Sequence, residues 1–118
     1  MSGVSVQGSC HCGAVRFTLA AAPGWVSECN CSICRRYGVL WSYYRLTQVQ
    51  FQREPLTDTY VWGRRGIAFH RCRTCGCVTH WSSMDPQRDK IAINARLLDP
   101  AVLAAAEVEF LDGANSDD

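Results

Sequence analysis

The chain has 118 residues and a formal net charge of +1 at pH 7. That suits one domain, and it gives no field to draw the whole molecule to nucleic acid or an anionic membrane. Hydrophobic residues at 47% and charged residues at 19% exclude a disordered or fibrous chain. No apolar run approaches the ~20 residues of a membrane span. Residues 1–8 lack the basic-then-apolar pattern of a signal peptide, so a cytoplasmic protein is expected.

Along the chain the dominant hydrophobic period is two. Residues 14–19 set Val15, Phe17 and Leu19 on one face and Arg16 and Thr18 on the other. Similar short β-rich runs follow at 40–46, 49–51, 58–62, 67–71, 78–82 and 90–95. Turn formers separate them, as in Gly63-Arg64-Arg65-Gly66 and Asp85-Pro86. One short C-terminal helix is expected, with Asp99 as cap, Pro100 in the first turn and 101–106 after it. Residues 108–111 read as a last strand, and 113–118 as a loose tail. The class is mainly β, in a single domain spanning 1–118.

The eight cysteines carry the chemistry. Seven fall in three clusters: Cys10-His11-Cys12-Gly13, Cys29-Asn30-Cys31-Ser32-Ile33-Cys34, and Cys72-Arg73-Thr74-Cys75-Gly76, with Cys77 directly after the last. In a reducing compartment such clustering points to metal binding rather than disulfides, and a bridge between neighbours this close would be strained. Zinc takes four soft ligands in a tetrahedron, and Cys-x-x-Cys lets two thiolates of one turn reach one ion. A glycine after such a pair can adopt left-handed backbone angles, and Gly13 and Gly76 both stand there. Pairs from the first and third clusters would complete a closed structural site. The middle cluster offers three thiolates. It forms either an open site of the catalytic kind or a second closed site completed by Cys77, His70 or His80.

These residues resemble the glutathione-dependent formaldehyde-activating family, which includes centromere protein V. The shared features are Gly8-Ser9-Cys10-His11-Cys12-Gly13, Cys29-x-Cys31-x-x-Cys34 and Phe69-x-x-Cys72-x-x-Cys75-Gly76. The resemblance implies a β-tent of small antiparallel sheets clipped by zinc. It also implies two zinc ions per chain: a structural one on Cys10, Cys12, Cys72 and Cys75, and a catalytic one on Cys29, Cys31 and Cys34. The activity it implies joins formaldehyde to glutathione, formally a carbon–sulfur lyase run in reverse, so the expected partners are a small thiol and an aldehyde. Cys77 departs from the pattern.

Around the triplet, Arg35 or Arg36 could hold a substrate carboxylate through paired hydrogen bonds. Tyr37, Tyr43 or Tyr44 could donate to a hemithioacetal oxygen, and Glu28 could carry a proton. Trp41 is the tryptophan expected to line a pocket, while Trp25, Trp62 and Trp81 read as packing. His11, between two ligands, is expected to point away from their metal. The rival reading is a non-enzymatic zinc module that binds a protein, or less readily nucleic acid, through Arg35-Arg36, Arg64-Arg65 and Arg71/Arg73. A third is thiol redox or metal buffering through Cys77.

Overall fold

The computed structural model describes residues 5–63 and 65–115. In chain order it contains β1 (Val6–Ser9), β2 (Arg16–Leu19), β3 (Trp25–Cys29), α1 (Ser32–Tyr37), β4 (Trp41–Tyr44), β5 (Val49–Phe51), β6 (Thr57–Tyr60), β7 (Ile67–Cys72), β8 (Val78–Ser83), β9 (Ile91–Asn94), α2 (Pro100–Ala104) and β10 (Glu107–Leu111). The mainly β class expected from the hydrophobic period is what the chain adopts. Asp99 caps α2, accepting the Ala101 N–H at 2.8 Å. Arg64, of the basic runs noted above, lies outside the described residues.

Three elements escaped the sequence pattern. β1 is broken up by Gly8 and Ser9, and β3 carries Ser27 and Glu28 where a strand signal wants apolar residues. α1 is a second helix beyond the one expected. Its cap is Cys31, whose sulfur accepts the Cys34 N–H at 3.4 Å. That is a role usually read from Ser, Thr, Asn or Asp.

The strands form a three-stranded sheet, β1-β2-β5, and a seven-stranded sheet, β10-β3-β4-β9-β8-β7-β6. All pairings are antiparallel except β10 on β3, which runs parallel with Glu107 opposite Trp25 and Leu111 opposite Cys29. One parallel pair thus stands within sheets that are otherwise antiparallel, as expected. A parallel partner needs a crossover, and the stretch holding α2 supplies it.

Phe17 and Leu19 from the small sheet meet Val26, Ile91 and Ile93 from the large one in the main apolar cluster. β9 is buried along its whole length, so its near-continuous apolar run marks a central strand. Its one polar residue, Asn94, is satisfied: Nδ2 donates to the Val78 carbonyl at 2.8 Å. Two further clusters are built around cysteines. One joins Cys29 and Cys34 to Trp41, Phe69 and Trp81. The other joins Cys10 and Cys72 to Val15.

His70 and His80, across β7 and β8, stack with ring centroids 4.1 Å apart. His70 hydrogen-bonds Thr57 and Ser82, and His80 hydrogen-bonds Thr79, each at 2.8 Å. Both rings are thus engaged in a core network. Burial first, and then the neighbouring His70, push His80 down to about 3 from its ordinary 6.5. The unfolded chain therefore binds a proton that the folded chain refuses across that window. Stability is full above pH 6.5 and falls as pH drops toward 3. In urea unfolding with zinc saturating, the parent chain should lose up to about 2 kcal/mol more between pH 7 and pH 5 than His80→Gln does. Equal losses would show that His80 titrates normally.

Candidate metal centre

The first centre is made by two turns of the same construction. After β1, the Cys10 N–H donates to the Val15 carbonyl at 3.0 Å, and the Gly13 N–H to the Cys10 carbonyl at 3.2 Å. After β7, the Cys72 N–H donates to the Cys77 carbonyl at 2.8 Å, and the Gly76 N–H to the Cys72 carbonyl at 2.9 Å. Gly13 and Gly76 have φ of 83° and 81°, where a side chain would strain the backbone. Each turn also aims N–H groups at sulfur: Val15 at Cys10 (3.4 Å), and Thr74 and Cys75 at Cys72 (3.4 and 3.5 Å).

The sulfurs of Cys10, Cys12, Cys72 and Cys75 all lie within 4.8 Å of one another. Cys12 is 3.7 Å from Cys10 and 3.6 Å from Cys72. A tetrahedral zinc with bonds of ~2.3 Å requires sulfurs about 3.8 Å apart, so the donor set and its spacing fit that ion. The backbone favours thiolate here. N–H donors from Cys77 and Cys12 pull Cys75 down to about 5, and those of Cys75 and Thr74 lower Cys72. His11 is exposed, and Cys77 packs on the rim of this cluster.

The second centre lies in the seven-stranded sheet. Cys29 ends β3, Cys31 caps α1 and Cys34 sits in its first turn, with the three sulfurs again within 4.8 Å of one another. The Trp41 indole N–H donates to the Cys34 sulfur at 3.3 Å. Burial drives Cys34 and Cys29 up. It opposes ionisation of Cys31 as well, but there the Cys34 N–H and the adjoining thiols prevail and lower it. Among the described residues, no fourth Cys, His, Asp or Glu joins this group. Cys77 belongs to the other cluster, and His70 and His80 are stacked on each other.

Asn30 ties the chain's C-terminal segment onto this triplet. Its N–H donates to the Leu111 carbonyl at 3.1 Å, its Nδ2 to Asp112 at 2.9 Å, and its Oδ1 accepts the Ala114 N–H at 2.9 Å. Gly113–Asn115, expected to be loose, is a 3₁₀ turn laid against the site, and 116–118 lie outside the described residues. Gly113 approaches so closely that a Cβ there would fall 2.5 Å from the Cys29 sulfur.

Above the three sulfurs opens a cavity of about 350 Å³. Trp41, Tyr43, Trp62, Phe69 and Trp81 wall it, and Arg88 stands among its lining residues with its guanidinium 5.5 Å from the Trp81 ring centre. A larger hollow of about 420 Å³ crosses the three-stranded sheet past Arg16, Gln50 and Gln52, and it touches neither cysteine cluster.

Of the side chains considered for substrate, Trp41 and Tyr43 line the cavity, whereas Arg35, Arg36 and Tyr37 do not. Each helical residue is rotated about 100° from the last, so a buried Cys34 throws Arg35 and Arg36 into solvent. Arg36 returns to the Ser32 carbonyl at 2.8 Å. Tyr37 packs edge-on behind Phe69, 5.7 Å between centroids. Glu28 is exposed. Arg88, Asn30 and Gly113 were not flagged from sequence. Arg88 sits in an exposed polar turn with no local mark of its role.

Residues 5–111 match the family model described as glutathione-dependent formaldehyde-activating enzyme. The chain belongs to that family. It is also similar to a crystal structure of a Rhodobacter sphaeroides protein, with 30% identity and a TM-score of 0.70, covering 87% of this chain and 99% of the other. All eight cysteines of this family member fall inside the matched span, and the turn that covers Cys29 lies beyond it.

Chain produced with zinc should carry one ion per cluster, two in all. Gly113→Ala should push the turn off Cys29 and speed chelator release of one ion about tenfold, leaving the other unchanged. Identical release traces for parent and variant would mean the turn does not brace the triplet.

Proposed function

We propose that the chain is a zinc-dependent enzyme that activates a small, glutathione-like thiol for addition to an aldehyde such as formaldehyde, formally a carbon–sulfur lyase working toward synthesis. We assign the four-cysteine centre a structural role and the triplet the chemistry. The observation that carries this is the triplet's setting: three clustered sulfurs, no fourth protein ligand among the described residues, and a 350 Å³ cavity directly over them.

When bound, zinc supplies charge stabilisation of a thiolate, which lowers the pKa of an incoming thiol. Cys29, Cys31 and Cys34 would give such an ion a soft, net-negative set of ligands, which favours a thiol over water as its further partner. Trp41 fixes Cys34 through its indole N–H, so the ligands are held before substrate arrives. In the reaction the thiolate sulfur forms a bond to the carbonyl carbon, the C=O π bond opens, and the oxygen takes up a proton. Tyr43 carries the one hydroxyl among the described lining residues. Burial raises its pKa, which keeps the proton on the phenol for donation to that oxygen. The aromatic walls limit water near the reacting atoms, and confinement of both reactants supplies proximity.

Eight free thiols accord with the reducing cytoplasm as its location, and we read 1–118 as one domain.

Cobalt-substituted protein should change its visible absorption when a small thiol is added; silence to every thiol would favour a closed, non-enzymatic zinc module. Cys31→Ser should abolish activity with circular dichroism unchanged, whereas Cys72→Ser should not fold. If both variants unfold alike, the division of roles between the centres is wrong. Tyr43→Phe should lower the turnover number about 100-fold with little change in thiol affinity; an unaltered rate would remove the phenol from the mechanism.

A further inference from the structure

The cavity over Cys29, Cys31 and Cys34 restricts which thiol can enter. Its walls are aromatic and aliphatic: Trp41, Trp62, Phe69 and Trp81, with Ile67 and Leu111. Among the described lining residues Arg88 alone carries a full charge apart from the cysteines. Its guanidinium lies over Trp81, 5.5 Å from the ring centre, and it forms no salt bridge among the described residues. The turn that presents it is fixed on both sides. The Arg88 N–H donates to the Asp85 carbonyl at 3.1 Å. Asp89 pairs with Arg45 at 2.9 Å and accepts the Leu46 N–H at 2.8 Å. A second cation, Lys90, lies 4.6 Å from the centre of the Tyr43 ring, which itself neighbours Trp81. Two cations thus stand at the Tyr43–Trp81 end, the neighbouring Asp89 is engaged by Arg45, and no carboxylate lines the described cavity.

Glutathione carries two carboxylates and an ammonium on a long polar backbone. Among its described lining residues this cavity offers one cation, no carboxylate, and walls that cannot hydrogen-bond most of that backbone, so burying glutathione would leave polar groups unpaired. A flat apolar body would instead bury against the rings, and a single carboxylate would reach the guanidinium.

We infer that the thiol this site is built for is compact, with an aromatic or similarly apolar body and one carboxylate held by Arg88. The inference rests on the reading of the triplet as an open thiol site.

The test uses the cobalt-substituted protein, read by visible absorption and by quenching of tryptophan fluorescence. The probes are 4-(mercaptomethyl)benzoate, whose carboxylate is too far from its sulfur to chelate the same ion, its uncharged analogue phenylmethanethiol, and glutathione. The expected result is that the carboxylate thiol binds about tenfold or more tightly than either of the others. Arg88→Gln should remove that advantage, weakening the carboxylate thiol about tenfold and leaving phenylmethanethiol unchanged. Glutathione binding as tightly as the aromatic carboxylate would overturn this inference while sustaining an open thiol site. Equal affinity for the two aromatic thiols, or an Arg88→Gln variant with an intact preference, would overturn the assignment of Arg88. A spectrum indifferent to all three thiols would overturn the open-site reading itself, and this inference with it.

Discussion

Four sulfurs from two turns, with Cys12 and Cys72 standing 60 positions apart in sequence yet 3.6 Å apart sulfur to sulfur, are the constraint on which the architecture turns. A crosslink closing a loop of that span removes about 4 kcal/mol of chain entropy from the unfolded state, a large part of a small domain's net stability. The link joins the end of β1, in the three-stranded sheet, to the end of β7, in the seven-stranded one. Around it the apolar core is thin: Cys10, Cys72 and Val15 form the buried cluster. Unmetallated, these thiols would be a weak junction; with an ion they become a rigid one.

The seven-stranded sheet carries the hollow over the triplet. Its aromatic residues do two jobs. Trp41 and Phe69 are buried and pack on each other at 6.1 Å, and their other edges wall the cavity over the triplet. The ligands themselves are placed by local geometry. Cys29 terminates a strand, Cys31 caps a helix, and Cys34 follows one turn later. Three sulfurs thus converge without any long-range pairing, while the space above them depends on β4 and β8 flanking β9 and on β7 lying next beyond β8 in the sheet.

The C-terminal segment shows how a peripheral element becomes part of a site. β10 adds to β3 in parallel and delivers Leu111 beside Cys29. Asn30, lying between two ligands, then grips the turn that follows through three hydrogen bonds. Gly113 is required where the turn crosses Cys29, for want of room for a methyl group.

The sequence alone determined the three cysteine clusters, the glycines that permit the tight turns, the β class and the family, because two sulfurs of one turn are brought together by local backbone geometry. Two sulfurs of one turn are bound to be neighbours whatever the rest of the chain does. Strand alternation was equally legible for β2, β5, β7, β8 and β9. It failed for β3, where the polar Ser27 is buried beside Val26, and for α1, whose cap is a cysteine. The surroundings of the triplet were decided only by the tertiary structure. Proximity in sequence favoured Arg35 and Arg36, but helical rotation turns them outward, and the cation at the cavity is Arg88, from the turn between β8 and β9. Periodicity tells which side chains share a face of a strand; which other strand that face will meet is set by sheet order, and sheet order is a property of the whole chain.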